Sequence, residues 1–498
     1  MSYAALEKTF YRLSQLSHAG SILGWDQQVM MPAKSNKARG EAMAELMVIA
    51  TEILQSESLA DEFAAAESET ELEDWQATNL DKMREQWMKA NAVPKELIQA
   101  RAIASNECEH AWRSLRKDND WRNFEPQLKR VFDLSREYAE ALFDGLADEK
   151  NYQNKYEALL DQYDPGTSLA RVDQVFGELK QVLPRLLQQI LEQQGRQPKP
   201  VEQNAAVDKG RQSALSRHIM NMLGFDFSAG RLDEAAHPFS GGTSDDSRIT
   251  TRYSADNVLE GLMGIIHETG HSRYETGLPK AWRNRPIGES MGMGVHESQS
   301  LFFEMQLGRS DAFIDVIAPM LQKFLGDDPA FETANLRGLY RRVEPSLIRV
   351  NADEVTYPLH IILRYEIERD VILGQLEVKE IPQRWNHLMM RYLGLDTSGN
   401  YADGPMQDIH WPSGAVGYFP SYTLGAMTAA QLYSAMSSKI SNVQELITKG
   451  DFEPVFAWLS SNIWEKGCSL RYDDLMTQAT GETLTSKFFL DHLRNRYL

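Results

Sequence analysis

Two imidazoles stand four residues apart in His267-Glu268-Thr269-Gly270-His271, with a carboxylate directly after the first. On an α-helix, positions i and i+4 share a face about one turn apart, so both rings can bind a single Zn²⁺. Glu268 then projects beside the open coordination position, where it can take a proton from bound water. The pattern points to metal-assisted peptide hydrolysis; the plainer alternative is a pair of histidines satisfied inside a helical core.

A catalytic zinc takes three protein ligands and a water. Glu297, 26 residues after His271, opens an apolar run through Leu301, Phe302 and Phe303 that reads as a second helix. Two helices packed face to face can bring such a carboxylate to the metal. His296 is a rival, but adjacent helical residues point about 100° apart, so one of the two faces the ion, and a carboxylate completing a His-His-Glu set is the better third ligand. Glu275 lies one turn beyond His271 and suits either a carboxylate that orients an imidazole or an exposed surface glutamate.

The elements that must position these groups are mainly helical. Residues 258–266 carry apolar side chains at helical spacing behind Asp256-Asn257, a helix-start signal, so the motif falls on a helix. From residue 3 to about 197, stretches rich in Leu, Ala, Glu, Gln, Lys and Arg read as a helical bundle broken at Met31-Pro32, Val93-Pro94, Pro165-Gly166 and Pro198. The first strand signal is Ser247–Tyr253, after a Gly-rich loop at Ser240–Ser244. That strand either lies along an extended substrate and pairs with its backbone, or closes a small sheet. After residue 300 the chain returns to helices. No long linker divides it, so the expectation is one domain over 1–498, with a helical subdomain at 1–200 and a catalytic subdomain at 201–498.

Composition narrows the function classes. A net charge of −19 argues against nucleic acid or an anionic membrane as partner. Cys108 and Cys468 are too few and scattered for a disulfide framework or a thiolate metal site. The N-terminus lacks a signal-peptide pattern and nothing is apolar enough to span a bilayer, so a cytoplasmic enzyme is expected.

Further motifs surround the first. They are Ile22-Leu23-Gly24-Trp25-Asp26-Gln27, His237-Pro238-Phe239, Asp246-Ser247-Arg248-Ile249-Thr250, His296-Glu297-Ser298-Gln299, Ile348-Arg349-Val350-Asn351-Ala352-Asp353 with Glu354-Val355-Thr356-Tyr357, and Gly404-Pro405-Met406-Gln407-Asp408-Ile409-His410-Trp411. In this order, over nearly the whole chain, they resemble the carboxypeptidase Taq family of zinc-dependent metallocarboxypeptidases, of the thermostable carboxypeptidase type. Ser247 and Val355 stand where Val and Leu are expected; neither supplies a ligand or a proton. The resemblance implies a mainly α fold similar to neurolysin and angiotensin-converting enzyme, with a deep groove and a small β-sheet beside the active-site helix. It implies a homodimer, release of single residues from peptide C-termini with broad specificity, Zn²⁺ with Co²⁺ as a possible substitute, and Glu297 as third ligand beside His267 and His271.

Roles follow for the remaining residues. Glu268 is the expected general base. Recognition of a free carboxylate calls for arginine, whose planar fork binds it bidentately; by resemblance Arg349 is the first choice and Arg248 the second, and without it either reads as a structural ion-pair residue. His410 and Tyr422 are candidate oxyanion donors, since an imidazole or phenol can hydrogen-bond to developing negative charge. Asp408 and Trp411 support the shape of the site. His237 is either a substrate contact or a packed histidine. Two other functions compete: a zinc oligo-endopeptidase cutting inside short peptides, and a non-catalytic peptide-binding scaffold with structural zinc, which would not need Glu268.

Overall fold

The computed structural model describes residues 2–235 and 238–498. Its helices begin and end where the chain carries turn chemistry. Ser2–Val29 stops before Met31-Pro32, Pro94 precedes Lys95–Leu115, and Pro165-Gly166 separates Lys155–Leu160 from Leu169–Gln194. Trp121–Gly145 starts on Asp120, whose carboxylate accepts from the Asn123 amide at 3.1 Å. It buries Phe124, Leu128, Val131, Phe132, Ser135, Ala139 and Leu142, a stripe at helical period.

A continuous apolar core runs in sequence from Ala104 to Tyr497, joining the bundle to the later helices. A smaller cluster ties Tyr3, Leu6 and Phe10 to Leu59, Phe63, Leu80 and Met83 near the N-terminus. Among the described residues, no helix is long and apolar enough to cross a membrane.

The sheet has three strands in the order β1-β3-β2: β1 is Gly230–Glu234, β2 is Phe239–Thr243 and β3 is Asp246–Thr251. β3 pairs parallel with β1, Leu232 opposite Ile249, and antiparallel with β2, Gly241 opposite Arg248. One sequence expectation is corrected here and one open alternative is decided. The Gly-rich segment is mostly strand β2, with Gly242 at φ +90 closing the hairpin; a Cβ there would lie 1.9 Å from the Asp246 carbonyl oxygen. The strand expected at Ser247–Tyr253 is the central one, hydrogen-bonded on both edges, so it closes a small sheet and has no free edge for a peptide backbone.

This sheet braces the helix Val258–Gly277 that carries the paired histidines. Ile249 packs with Ile265, and the Ser247 and Ser272 hydroxyls meet at 2.6 Å in a buried contact. Asn257 caps that helix, its side chain accepting from the Glu260 amide at 3.3 Å.

Candidate active site

His267 and His271 project from one face of Val258–Gly277, with ring centroids 5.0 Å apart. Glu297 comes from the helix Met293–Leu301, and its Oε2 lies 3.4 Å from His271 Nε2 and 3.9 Å from His267 Nε2. One donor atom from each of the three falls within 4.8 Å of the others.

The opposite ring nitrogens are fixed from behind. His267 Nδ1 is 2.9 Å from Glu304 Oε2, and His271 Nδ1 is 3.1 Å from the His296 carbonyl oxygen. With each Nδ1 engaged by one of those oxygens, both Nε2 atoms are turned to the Glu297 carboxylate. Burial opposes charge on His267, yet Glu297 and the Glu304 hydrogen bond hold a proton there and raise its pKa to about 10. Burial also works against ionised Glu297, and the charge on His267 outweighs it, drawing that carboxyl down to about 2. Burial lowers the pKa of His271 to about 4 and keeps that ring neutral, and the convergence of two imidazoles with an ionised carboxylate is a donor set that fits a divalent cation. Glu268 is buried beside them, and burial, with the charge on Glu297, pushes its pKa up to about 7.

Close backbone approach makes this convergence possible. A Cβ on Gly270 would meet the Gln299 carbonyl oxygen at 2.6 Å and Ser300 Cα at 2.7 Å. On its other side, Met293–Leu301 packs on the helix Pro420–Lys439, where a Cβ on Gly425 would come within 2.9 Å of Glu297 Cβ and Cγ. Asp164, from the Pro165-Gly166 turn, bridges the two: its carboxylate accepts from the Gly294 amide at 2.6 Å and the Ser421 hydroxyl at 2.5 Å. Gly270→Ala should therefore destabilise the fold by about 1–3 kcal/mol through overpacking against backbone. Denaturant unfolding, with metal binding measured alongside, checks this; a wild-type midpoint would show that the helices separate without cost.

His296 does not share the face of Glu297. Its Nδ1 is 2.7 Å from His271 Nδ1 and its Nε2 is 2.9 Å from Glu275 Oε1. Glu275 thus orients an imidazole, but that of His296 behind His271.

Next to the cluster lies a second group of polar side chains. Arg349 is buried and gives two hydrogen bonds to Asp408 Oδ1, at 3.0 and 2.8 Å, and one to the Tyr357 hydroxyl at 2.8 Å. Arg364, fully buried, binds Asp408 Oδ2 at 2.6 Å. Burial favours a neutral Asp408, but Arg364 and Arg349 hold it ionised far below the usual carboxylate range. Two guanidiniums converge on this one carboxylate, a local excess of positive charge suited to an anionic group. Tyr422 stacks by Arg349, 5.1 Å from guanidinium carbon to ring centroid, and its hydroxyl is 3.0 Å from His410 Nε2. Burial and then Arg349 push the His410 pKa down to about 3, leaving a neutral ring. The charge on Glu297 acts on both Tyr357 and Tyr422, and Gly425, one turn beyond Tyr422, touches Glu297, so the two groups adjoin. Trp411 donates to Glu368 at 2.9 Å beneath this segment.

Arg248 is engaged elsewhere. It forms a two-point pair with Asp246, at 2.9 and 2.7 Å, and lies over the Trp25 ring at 4.4 Å. His237 falls outside the described residues. Sequence reasoning missed Glu304, Arg364 and Asp164. Glu304 had a signal, since it follows Glu297 by two helical turns; Arg364 and Asp164 reach the site only through tertiary packing.

The helical scaffold, the His-His-Glu cluster and the carboxylate beside it define a helical metallopeptidase. A family model described as carboxypeptidase Taq (M32) metallopeptidase matches residues 5–497, and the chain belongs to that family. It is 35% identical to thermostable carboxypeptidase 1 of Thermus thermophilus over 97% of this chain and 95% of that protein. Among solved structures it is similar to Trypanosoma cruzi metallocarboxypeptidase 1, with a TM-score of 0.97 and 41% identity over 100% of this chain and 99% of that one. The M32 carboxypeptidase of Deinococcus radiodurans superposes with a TM-score of 0.93 at 29% identity, covering 100% and 98%. The chain is a metallocarboxypeptidase.

Proposed function

We propose that His267, His271 and Glu297 hold a zinc ion, which Co²⁺ can replace, and that the enzyme releases single residues from peptides with a free C-terminus. The observation that carries this is the convergence of these three donors, with Glu268 beside them and the Arg349–Asp408–Arg364 group adjoining. A zinc ion there would supply Lewis acidity, polarising the scissile carbonyl and making water acidic enough to attack at neutral pH. Glu268 takes the proton of the attacking water and hands it to the leaving amine; its buried carboxylate, with a raised pKa, is matched to both transfers. Arg349 takes the substrate carboxylate, its guanidinium held in place by Asp408 and Tyr357. Tyr422, with the neutral His410 against its hydroxyl, donates a hydrogen bond to the oxyanion. Arg248, paired with Asp246 and set over Trp25, is second to Arg349 as the carboxylate partner.

The core that runs across residue 200 supports reading 1–498 as one catalytic domain; the subdomains at 1–200 and 201–498 rest on the sequence pattern. Two free cysteines and a net charge of −19 suit the cytoplasm, and likeness to the family suggests broad specificity and a homodimer.

Metal titration tests the centre. Metal-free protein should bind one Zn²⁺ per chain, and Glu297→Gln should weaken that binding by about 100-fold or more. Unchanged affinity in the variant would remove Glu297 from the set.

A further inference from the structure

Behind His267 a line of buried charges leads away from the site. It starts at Glu304, in the π-helical turns Phe302–Gly308 that continue Met293–Leu301. Such wide turns are rare and concentrate at functional sites, because they displace backbone groups from regular pairing. Glu304 offers Oε2 to His267 and receives Arg309 Nη2 on Oε1 at 2.5 Å. Arg309 Nε stands 3.9 Å from Oε1 of Glu354, a fully buried carboxylate. The helix Lys487–Tyr497, at the end of the chain, supplies the rest. Arg496 Nη1 donates to Glu354 Oε1 at 2.6 Å and to the Met305 carbonyl oxygen, inside the π-helical turns, at 2.6 Å. His492 Nε2 is 2.9 Å from Glu354 Oε2.

We propose that Arg309, Glu354 and Arg496 are positioning residues of the metal centre: through Glu304 they fix the ring of His267, so the C-terminal helix sets the strength of metal binding. This rests on the reading of His267 as a ligand. Charge alternates along the line, Glu304, Arg309, Glu354, Arg496, so each group neutralises the next where water cannot. A carboxylate anchored on one oxygen keeps the other aimed at the imidazole; released from Arg309, Glu304 can rotate away and the ring loses its orientation. Arg496 adds a second hold by satisfying a carbonyl of the very turns that carry Glu304. Glu354 was visible in the sequence beside Asp353 and Val355, with no role to give it.

The test is zinc affinity by competition with a chromophoric chelator, together with the visible spectrum of the Co²⁺ form and thermal unfolding of the metal-free protein. Arg309→Met should weaken zinc binding by about 10- to 100-fold and Arg496→Met by about 10-fold, with an altered Co²⁺ spectrum in both. Arg309→Lys should recover part of the loss by keeping the charge, and it decides the matter if Arg309→Met does not fold. Wild-type zinc affinity and Co²⁺ spectrum in Arg496→Met and Arg309→Lys, with only a lowered unfolding temperature, would overturn the proposal and leave the line a structural one. His267→Ala serves as the reference: if it binds zinc like the parent, the ligand assignment fails, and that result is distinct from failure of the relay.

Discussion

Glu268→Gln keeps its metal and loses turnover: kcat should fall by about 10²- to 10⁴-fold, the range for removing a general base, while KM stays near that of the parent. The amide is isosteric with the carboxylate, so the packing of Val258–Gly277 on Met293–Leu301 is unchanged, but it cannot accept the water proton at neutral pH. Glu268 lies among carboxylates and histidines that favour a cation. Removing its negative charge should weaken metal binding only modestly, because the donors named above are His267, His271 and Glu297. Steady-state kinetics on protein of measured metal content check this. Full turnover by metal-loaded Glu268→Gln would assign the proton transfer to another group.

Arg349→Ala should act on the other kinetic constant. The substrate carboxylate is present in both ground and transition states, so its partner contributes binding to both, and the loss should appear mainly as a raised KM. Truncating one side of a buried, hydrogen-bonded charge pair costs about 3 kcal/mol, or roughly 10²-fold in kcat/KM. The fold should survive because Asp408 keeps Arg364 at 2.6 Å. Arg349→Lys should lie between, retaining the charge without the planar fork. The measurement is kcat and KM on matched free-acid peptides. An unchanged KM in Arg349→Ala would move the carboxylate site to another residue, with Arg364 the first to examine.

The central helices were legible because their signals are local. The i, i+4 histidines, the Asn257 cap and the apolar period of 258–266 all lie within one element, and the bundle announced some of its breaks through proline and glycine, while others, such as Gln55-Ser56 and 116–120, carry neither. Glu297 was legible because it stands at the head of an apolar run that reads as a helix, and a carboxylate completes a His-His-Glu donor set. What the sequence did not show depends on packing. Gly270 looked like a spacer in the motif, yet it sets how near Gln299 can approach. Arg248 read as an alternative to Arg349, but its strand turns it toward Asp246 and Trp25. The Gly-rich segment read as a loop because glycine is poor in strands, and the hairpin with β3 overrode that preference. Asp164 and Arg309 reach the centre through partners remote in sequence or already buried, and no periodicity encodes such contacts.

Carboxypeptidase action is tested by mass spectrometry of a peptide set incubated with zinc-loaded enzyme, each peptide supplied as free acid and as C-terminal amide. The free acids should lose single C-terminal residues stepwise, while the amides stay intact. Internal cleavage of both forms at similar rates would contradict the proposed function, because the Arg349–Asp408–Arg364 group would then take no part in selecting the bond.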